Sequence, residues 1–457
     1  MKRWITGWII FLVSLSLLIA GGTPVRARTT ASSTAVNLAG PAVPYGFVAL
    51  ADPAGQPSVS QAAAQAGAQA AGPTRSLVIR HARLIDGTDA APIADAAIII
   101  TGARFVYAGP DGQAVIPPNA EVIDAKGRTV CPGLIDAHFH MNYPNTREQP
   151  FLLNESIASF RAAFHLRRHL LGGITTVMDG GGFRNVTVMA KQAFRDGFLL
   201  GSRPVVVGER INATGGHGVS RFPMAYEADG PYEFRKAVRV QIRAGADLIK
   251  ILPPYSREEL EAAIAEAHSL RKIVAVHSGY LTDQYDYIRW AAELGADVIE
   301  HAYALPDDVI KMMGEKKIYG VPTMTAMIKL HAGRASLPAN EPHPYEKIFL
   351  KMKEAGVRMA VGTDAIYEIM NDNPGLYFEE VERFVKNGYT AHQAIIAATR
   401  MGAAVCDAAG RLGTIEKGKL ADLLVIDGDP LKDIRELRKV AVIIQEGKVI
   451  KNGLDGR

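Results

Sequence analysis

Cysteine is scarce: 457 residues carry two, Cys131 and Cys406. That excludes a disulfide framework and a zinc site built on thiolates, while one bridge between the pair stays open. Charge of a single sign is scarce too. Formal net charge is +4, and it falls to +1 without Lys2, Arg3 and Arg26, because residues 1–27 hold no acid. The chain therefore offers no basic field for nucleic acid and no acidic one for cations. Long apolar runs are missing beyond the N-terminus, so no later segment has the length to span a bilayer. With 48% hydrophobic and 21% charged residues, the composition is that of an ordinary globular protein. The length suits two or three domains, or one large barrel with additions.

The N-terminus is the exception to this plain composition. Lys2 and Arg3 precede an almost wholly apolar run from Trp4 to Ala20, and Val25-Arg26-Ala27 offers small residues where a signal peptidase cuts. The expectation is a cleaved signal over residues 1–27 and a secreted or periplasmic chain without further membrane contact. A retained anchor is the rival, since the run is near the lower length limit for spanning. No cysteine follows the run, so a lipid anchor is not expected. Residues 28–74 are rich in Ala, Ser, Gly, Pro and Gln, with Arg28 and Asp52 their only charges. Such a stretch cannot form a core and reads as a linker reaching to residue 75.

Two patterns follow. Leu77–Arg80, Ala97–Ile100, Arg104–Gly109 and Ala120–Asp124 are short β-rich runs separated by Gly and Asp turn signals. The C-terminus supplies similar runs at Ala421–Ile426, Val440–Ile444 and Gly447–Ile450. They predict one small β domain made from residues 76–131 and 406–457. Between them, residues 132–405 alternate strand and helix signals. Eight strands are expected: Leu134–His140, Ile174–Asp179, Pro204–Glu209, Asp247–Leu252, Ile273–His277, Asp297–His301, Ile318–Thr323 and Val357–Asp364. Helical patterns intervene, for example Glu155–Leu171, Glu233–Ala244, Arg257–Leu270 and Tyr285–Leu294. Eight βα units over this length predict an α/β fold with a (β/α)8 TIM barrel.

Chemistry in such a barrel belongs at the C-terminal strand ends. Pro132–His140 ends in His138 and His140, which alternation places on one face of the strand, where two imidazoles can share a metal. Strand four carries Lys250, strand five ends in His277, strand six in His301 and strand eight in Asp364. Each has a plain alternative: a strand-end histidine can be a hydrogen-bonded core residue, and Asp364 can cap the next helix. His165, His169, His268 and His392 fall in helical stretches and are expected at the surface. Lys250 lies among Leu248, Ile249, Ile251 and Leu252, where an ammonium is costly. It must neutralise, find a partner, react with carbon dioxide to become a carbamate, or reach past the strand end to water.

Together these motifs resemble the amidohydrolase superfamily. The residues that carry the resemblance are Pro132–His140, the run 173–179, Lys250, His277, Ile299-Glu300-His301, Gly362-Thr363-Asp364 and Gly418–Leu423. Thr214-Gly215-Gly216-His217-Gly218 resembles the branch of prolidase-like and imidazolonepropionase-like enzymes. The resemblance implies a β-sandwich beside the barrel, and two divalent metal ions, zinc first. His138, His140 and Asp364 would hold one metal and His277 and His301 the other, bridged by N6-carboxylated Lys250 and a hydroxide. It implies that Asp364 moves the proton and that His217, on a Gly-rich loop, reaches the oxyanion. Tyr280 is a further candidate for binding a carbonyl or carboxylate, and His217 and Tyr280 each retain the reading of a solvated loop residue. Lys329, His331, Arg334, His343, Tyr367, Glu368 and Asn371 follow strands seven and eight and are candidates for setting specificity. The function implied is cleavage of an amide in a dipeptide or N-acyl amino acid. Lactone, carbamate or cyclic-amide hydrolysis, and a non-catalytic metal- or ligand-binding protein, are the alternatives. Metal identity and homo-oligomer formation stay open.

Overall fold

The computed structural model describes residues 76–143, 153–217, 224–279, 285–330, 342–366, 369 and 373–454. The expected signal and linker lie outside the described residues. Short β-rich runs from the two ends of this span meet in one eight-stranded sheet. Its N-terminal members are β1 (Ser76–Leu84), β2 (Ile93–Thr101), β3 (Arg104–Pro110), β4 (Glu121–Asp124) and β5 (Thr129–Pro132). Parallel strands β6 to β15 come next, and β16 (Leu423–Ile426), β17 (Val440–Gln445) and β18 (Lys448–Asn452) complete the sheet. The order is β18-β17-β16-β5-β1-β2-β3, with β4 also beside β1. β5 and β16 run antiparallel, pairing Val130 with Val425 and Pro132 with Leu423. Ile79, Ile98, Ile100, Phe105, Leu423, Val425 and Ile444 form a buried cluster of this sheet, so apolar area taken from water holds the two ends of the chain together.

The middle of the chain is parallel throughout. One sheet joins β6 (Leu134–Phe139), β7 (Ile174–Asp179) and β8 (Arg203–Val206). A second has seven strands in the order β10-β9-β11-β12-β13-β14-β15. These are β9 (Arg210–Asn212), β10 (Ala225–Glu227), β11 (Ile249–Ile251), β12 (Val274–His277), β13 (Val298–Glu300), β14 (Tyr319–Val321) and β15 (Arg358–Met359). Backbone bonds link the two sheets at both margins: Asp247 N donates to Val206 O at 2.7 Å, and Ala137 N to Val361 O at 2.9 Å. Most of these strands are buried along their whole length, which is why they read as nearly continuous apolar runs.

Helices lie between the strands and start where capping chemistry allows. Asn154 accepts from Ile157 N at the head of Glu155–Leu171, and Ser256 and Glu259 form a capping box ahead of Arg257–Ser269. Pro231–Ala244 starts at its proline and stops at Gly245, whose φ of 117° suits glycine.

The strands are shorter than the apolar runs that foretold them. The third ends at Val206 rather than residue 209, because the chain turns at Gly208 with φ +71° and resumes as β9. The eighth keeps regular pairing only at Arg358–Met359. Beyond it, Thr363 N and Asp364 N both donate to His138 O, and Asp364 sits at φ 47°. The surface expectation for two helical histidines is corrected. His165 is 6% exposed and His169 is fully buried, the latter with its ring 4.2 Å from that of Phe139 and Nε2 3.6 Å from Asp136. The helix turns those imidazoles inward while Phe160 and Phe164 face solvent. Cys131 and Cys406 are both free and buried, so the bridge left open by sequence is not formed.

Candidate active site

The polar residues at the strand ends converge. His138 lies on β6 and His140 one residue past it; Lys250 lies on β11, His277 ends β12, and His301 follows β13. With Asp364, Arg210, Tyr143 and His217 they line one small cavity of about 20 Å³. A larger cavity, about 290 Å³, is lined by Lys191, Arg195, Arg203 and Asp247 and holds none of these side chains. The chemistry-bearing residues single out the smaller one.

Two of the imidazoles, His140 and His301, have one ring nitrogen tied down by a neighbour. His138 Nε2 and His140 Nε2 are each 3.3 Å from Asp364 Oδ1 and 3.3 Å from one another. The outward Nδ1 of His140 is 2.8 Å from Gly181 O. His301 Nδ1 is 2.8 Å from Thr323 Oγ1, while its Nε2 is buried without a hydrogen bond. Anchoring the outer nitrogen fixes the tautomer and leaves the inner lone pair for a ligand. His217 stacks on His277 with ring centres 4.8 Å apart and planes at 24°, so the Gly-rich loop does bring its histidine to the site.

Burial sets the charge states. It pushes His140 and His217 down to about 4 and His277 and His301 well below the usual imidazole range, outweighing Asp364, which acts in the opposite direction. Neutral imidazoles are the form that binds metal. Burial opposes ionisation of Asp364, but His301, His138 and His140 outweigh it and hold the carboxyl well below its ordinary value. For Lys250, burial drives the ammonium far below its usual range, and Asp364 only partly offsets this.

Neutral imidazoles and an ionised carboxylate around one small cavity fit a divalent metal of borderline softness, zinc among them. Ligand atoms of His138, His140 and Asp364 all lie within 4.8 Å of one another, as do those of His138, Glu300 and His301.

Several residues at the site were given no role from sequence. Glu300 is fully buried and paired with Lys250, its other oxygen 3.0 Å from His138 Nδ1. Its signal was an acid closing the apolar strand Val298-Ile299, the mirror of Lys250. Tyr303 donates to Asp364 Oδ2 at 3.0 Å and stacks on His301 at 4.5 Å. Arg210 is buried and donates to Tyr143 Oη and Met224 O. Asp136 accepts from Thr363 N and Thr363 Oγ1, which fastens the first strand end to the last. Among the expected specificity residues, Lys329 donates to Glu379 and His343 caps Pro344–Glu354. Tyr280, His331, Arg334, Tyr367, Glu368 and Asn371 lie outside the described residues.

The chain is similar to known proteins over most of its length. Ochratoxinase from Aspergillus niger is 26% identical over 436 residues, which covers 82% of this chain and 87% of that one. Imidazolonepropionase from Syntrophobacter fumaroxidans is 27% identical over 352 residues, covering 67% and 77%. A solved structure of a Xaa-Pro dipeptidase with methionine bound in its active site superposes with a TM-score of 0.72 at 27% identity, covering 82% of this chain and all of that one. Residues 129–453 match the model of the amidohydrolase family, and the chain belongs to that family, as a metal-dependent hydrolase of carbon–nitrogen bonds.

Proposed function

We propose that this protein is a binuclear metal amidohydrolase that cleaves an amide bond in a dipeptide or an N-acyl amino acid. The observation that carries the reading is the convergence of four buried histidines, Lys250 and ionised Asp364 on one cavity. The Xaa-Pro dipeptidase among the similar structures supports a peptide-like substrate. His138, His140 and Asp364 would hold one ion and His277 and His301 the other, with carboxylated Lys250 contributing to both; zinc is the first choice of metal. When bound, such ions polarise a scissile carbonyl and acidify the attacking water.

The remaining steps belong to the side chains. Asp364, ionised and backed by the Tyr303 hydroxyl, accepts the proton of the attacking water and passes it to the leaving amine. His217, neutral, donates an N–H to the developing oxyanion. Tyr280 is the candidate for the substrate carbonyl or carboxylate.

The architecture that supports this is a closed (β/α)8 barrel over residues 132–405. The two marginal hydrogen bonds between the parallel sheets favour it. So does the shared buried cluster of Ile135, Met178, Val205, Leu248, Ala275, Val298, Val321 and Ala360. Residues 76–131 and 406–457 form the β-sandwich. Residues 1–27 direct export to the periplasm or exterior, and 28–75 are the linker.

The test is a panel of dipeptides and N-acyl amino acids with varied C-terminal residues, run beside a lactone panel with zinc and bicarbonate present. Turnover of the amide panel supports the reading. Turnover confined to lactones moves the protein to the alternative chemistry on the same core, and no turnover by fully loaded protein points to a binding role.

A further inference from the structure

We propose that Glu300 is a positioning residue that holds two metal ligands at once, accepting from the outer nitrogen of His138 and from the nitrogen of carboxylated Lys250. This rests on the metal-site reading above. Glu300 ends β13, is fully buried, and does not line the cavity. It lies behind His138: Oε1 is 3.0 Å from Nδ1, whereas the inner Nε2 faces Asp364 and His140. Its second oxygen, Oε2, meets the Lys250 amine. Neither carboxylate oxygen has a well-directed hydrogen bond, and the same holds for His138 Nδ1 and Lys250 Nζ. The two carboxylate oxygens and the two nitrogens facing them are thus buried with their bonding incomplete, which is costly unless the site is finished by something further.

Carbamate formation finishes it. The neutral amine of Lys250 attacks carbon dioxide, a new N–C bond forms, and the nitrogen releases one proton to water while keeping one N–H. That N–H remains a donor, so Oε2 retains a partner after the lysine has turned from neutral amine to anion. His138, with Nε2 committed to a metal, carries its proton on Nδ1 and offers it to Oε1. The comparison with the other histidines makes the role specific. Gly181 O anchors His140 and Thr323 Oγ1 anchors His301, both neutral groups, whereas His138 meets a carboxylate. A carboxylate behind a metal-bound imidazole raises its basicity as well as fixing its plane.

Glu300 also falls in a trio with His138 and His301 able to hold a metal by itself, so direct ligation is the outcome to distinguish. The experiment compares wild type, Glu300→Gln and Glu300→Ala by metal content, chelator competition, and carbon-13 NMR after supplying labelled bicarbonate. Glu300→Ala should weaken metal binding by roughly 10- to 100-fold, the range for outer-shell partners, and diminish the carbamate resonance. Glu300→Gln should fall between, because its oxygen can accept one N–H while its amino group opposes the other. Melting of the metal-stripped proteins checks folding, and Glu300→Gln carries the comparison if the alanine variant does not fold. Unchanged affinity and carbamate in both variants would overturn the inference. So would loss of a whole metal equivalent at saturating metal, which would make Glu300 a ligand. Absence of carbamate in wild type would instead remove the reading beneath, and with it the Lys250 half, leaving Lys250 as an amine paired with Glu300. The His138 half is decided by the chelator titration in either case.

Discussion

Lys250 has two fates in its apolar strand, ion-pair partner of Glu300 or bridging carbamate, and substitution separates them. Lys250→Ala should lose both metal and activity, and formate or acetate should restore part of each by supplying carboxylate oxygens. Lys250→Arg should not recover, because guanidinium stays charged and forms no carbamate; full metal content in Lys250→Arg, read by elemental analysis, would refute the bridge. His217→Ala should slow turnover roughly 100- to 1000-fold, the cost of one oxyanion donor, with metal content unchanged; near-normal rates would return His217 to a loop residue. The convergence of these candidate ligands was legible because a histidine, lysine or aspartate closing an apolar strand has few structural excuses. Glu300 stood in the Ile299-Glu300-His301 motif yet was given no role, since its importance lies in what stands opposite it. Tyr303 and Arg210 were invisible for a related reason: their partners, Asp364 and Tyr143, are distant in sequence. His165 and His169 misled because a helical polar residue was equated with an exposed one.

Strand and helix positions were readable to within a few residues, because unbroken apolar runs mark parallel strands buried on both faces and period-3.6 patterns mark amphipathic helices. Their ends were not, since Gly208 and Asp364 leave the strand through left-handed backbone that apolar runs do not announce. The turn after β7 offers a test of the element. A Cβ at Gly180 would stand 3.0 Å from the His138 ring and 3.1 Å from that of His140. Its φ is not left-handed, so Gly180→Ala should fold normally yet lower metal affinity by about tenfold or more, comparable with an outer-shell disturbance. Chelator competition beside an unchanged melt of the stripped protein would show it; unaltered affinity would mean the rings yield freely. Arg203, at the start of β8, joins a different pair of elements. It donates to Thr176 Oγ1, to both oxygens of Asp422 and to Glu446, so a parallel strand is clamped to the ends of β16 and β17. Arg203→Met leaves Asp422 buried and unpaired and should cost roughly 3–5 kcal/mol. Denaturant unfolding measures it, and a loss under ~1 kcal/mol would show that the clamp contributes little.

For the whole chain, the alternating central segment and the paired β-rich ends were legible because each follows from composition alone. Sheet order was not, since pairing of β5 with β16 is a long-range choice. Export is the prediction that belongs at this scale: N-terminal sequencing of secreted protein should begin near Arg28, and recovery of the intact chain in membranes would favour an anchor. Among the described residues no helix is long and apolar enough to cross a membrane. The fastening of Thr363 to Asp136 spans 227 residues, and it gives the site a history in time. At ordinary rates of synthesis, roughly 10–45 s separate the appearance of the first ligands from that of the last. Throughout that interval His138 and His140 exist on a ribosome-bound chain without Asp364. Any ion they capture then is held by half a site, by whichever metal the surroundings offer. On the proposed ligand set, the metal of the finished enzyme would depend on where and when the chain closed, and expression in a different compartment should change it without any change of sequence.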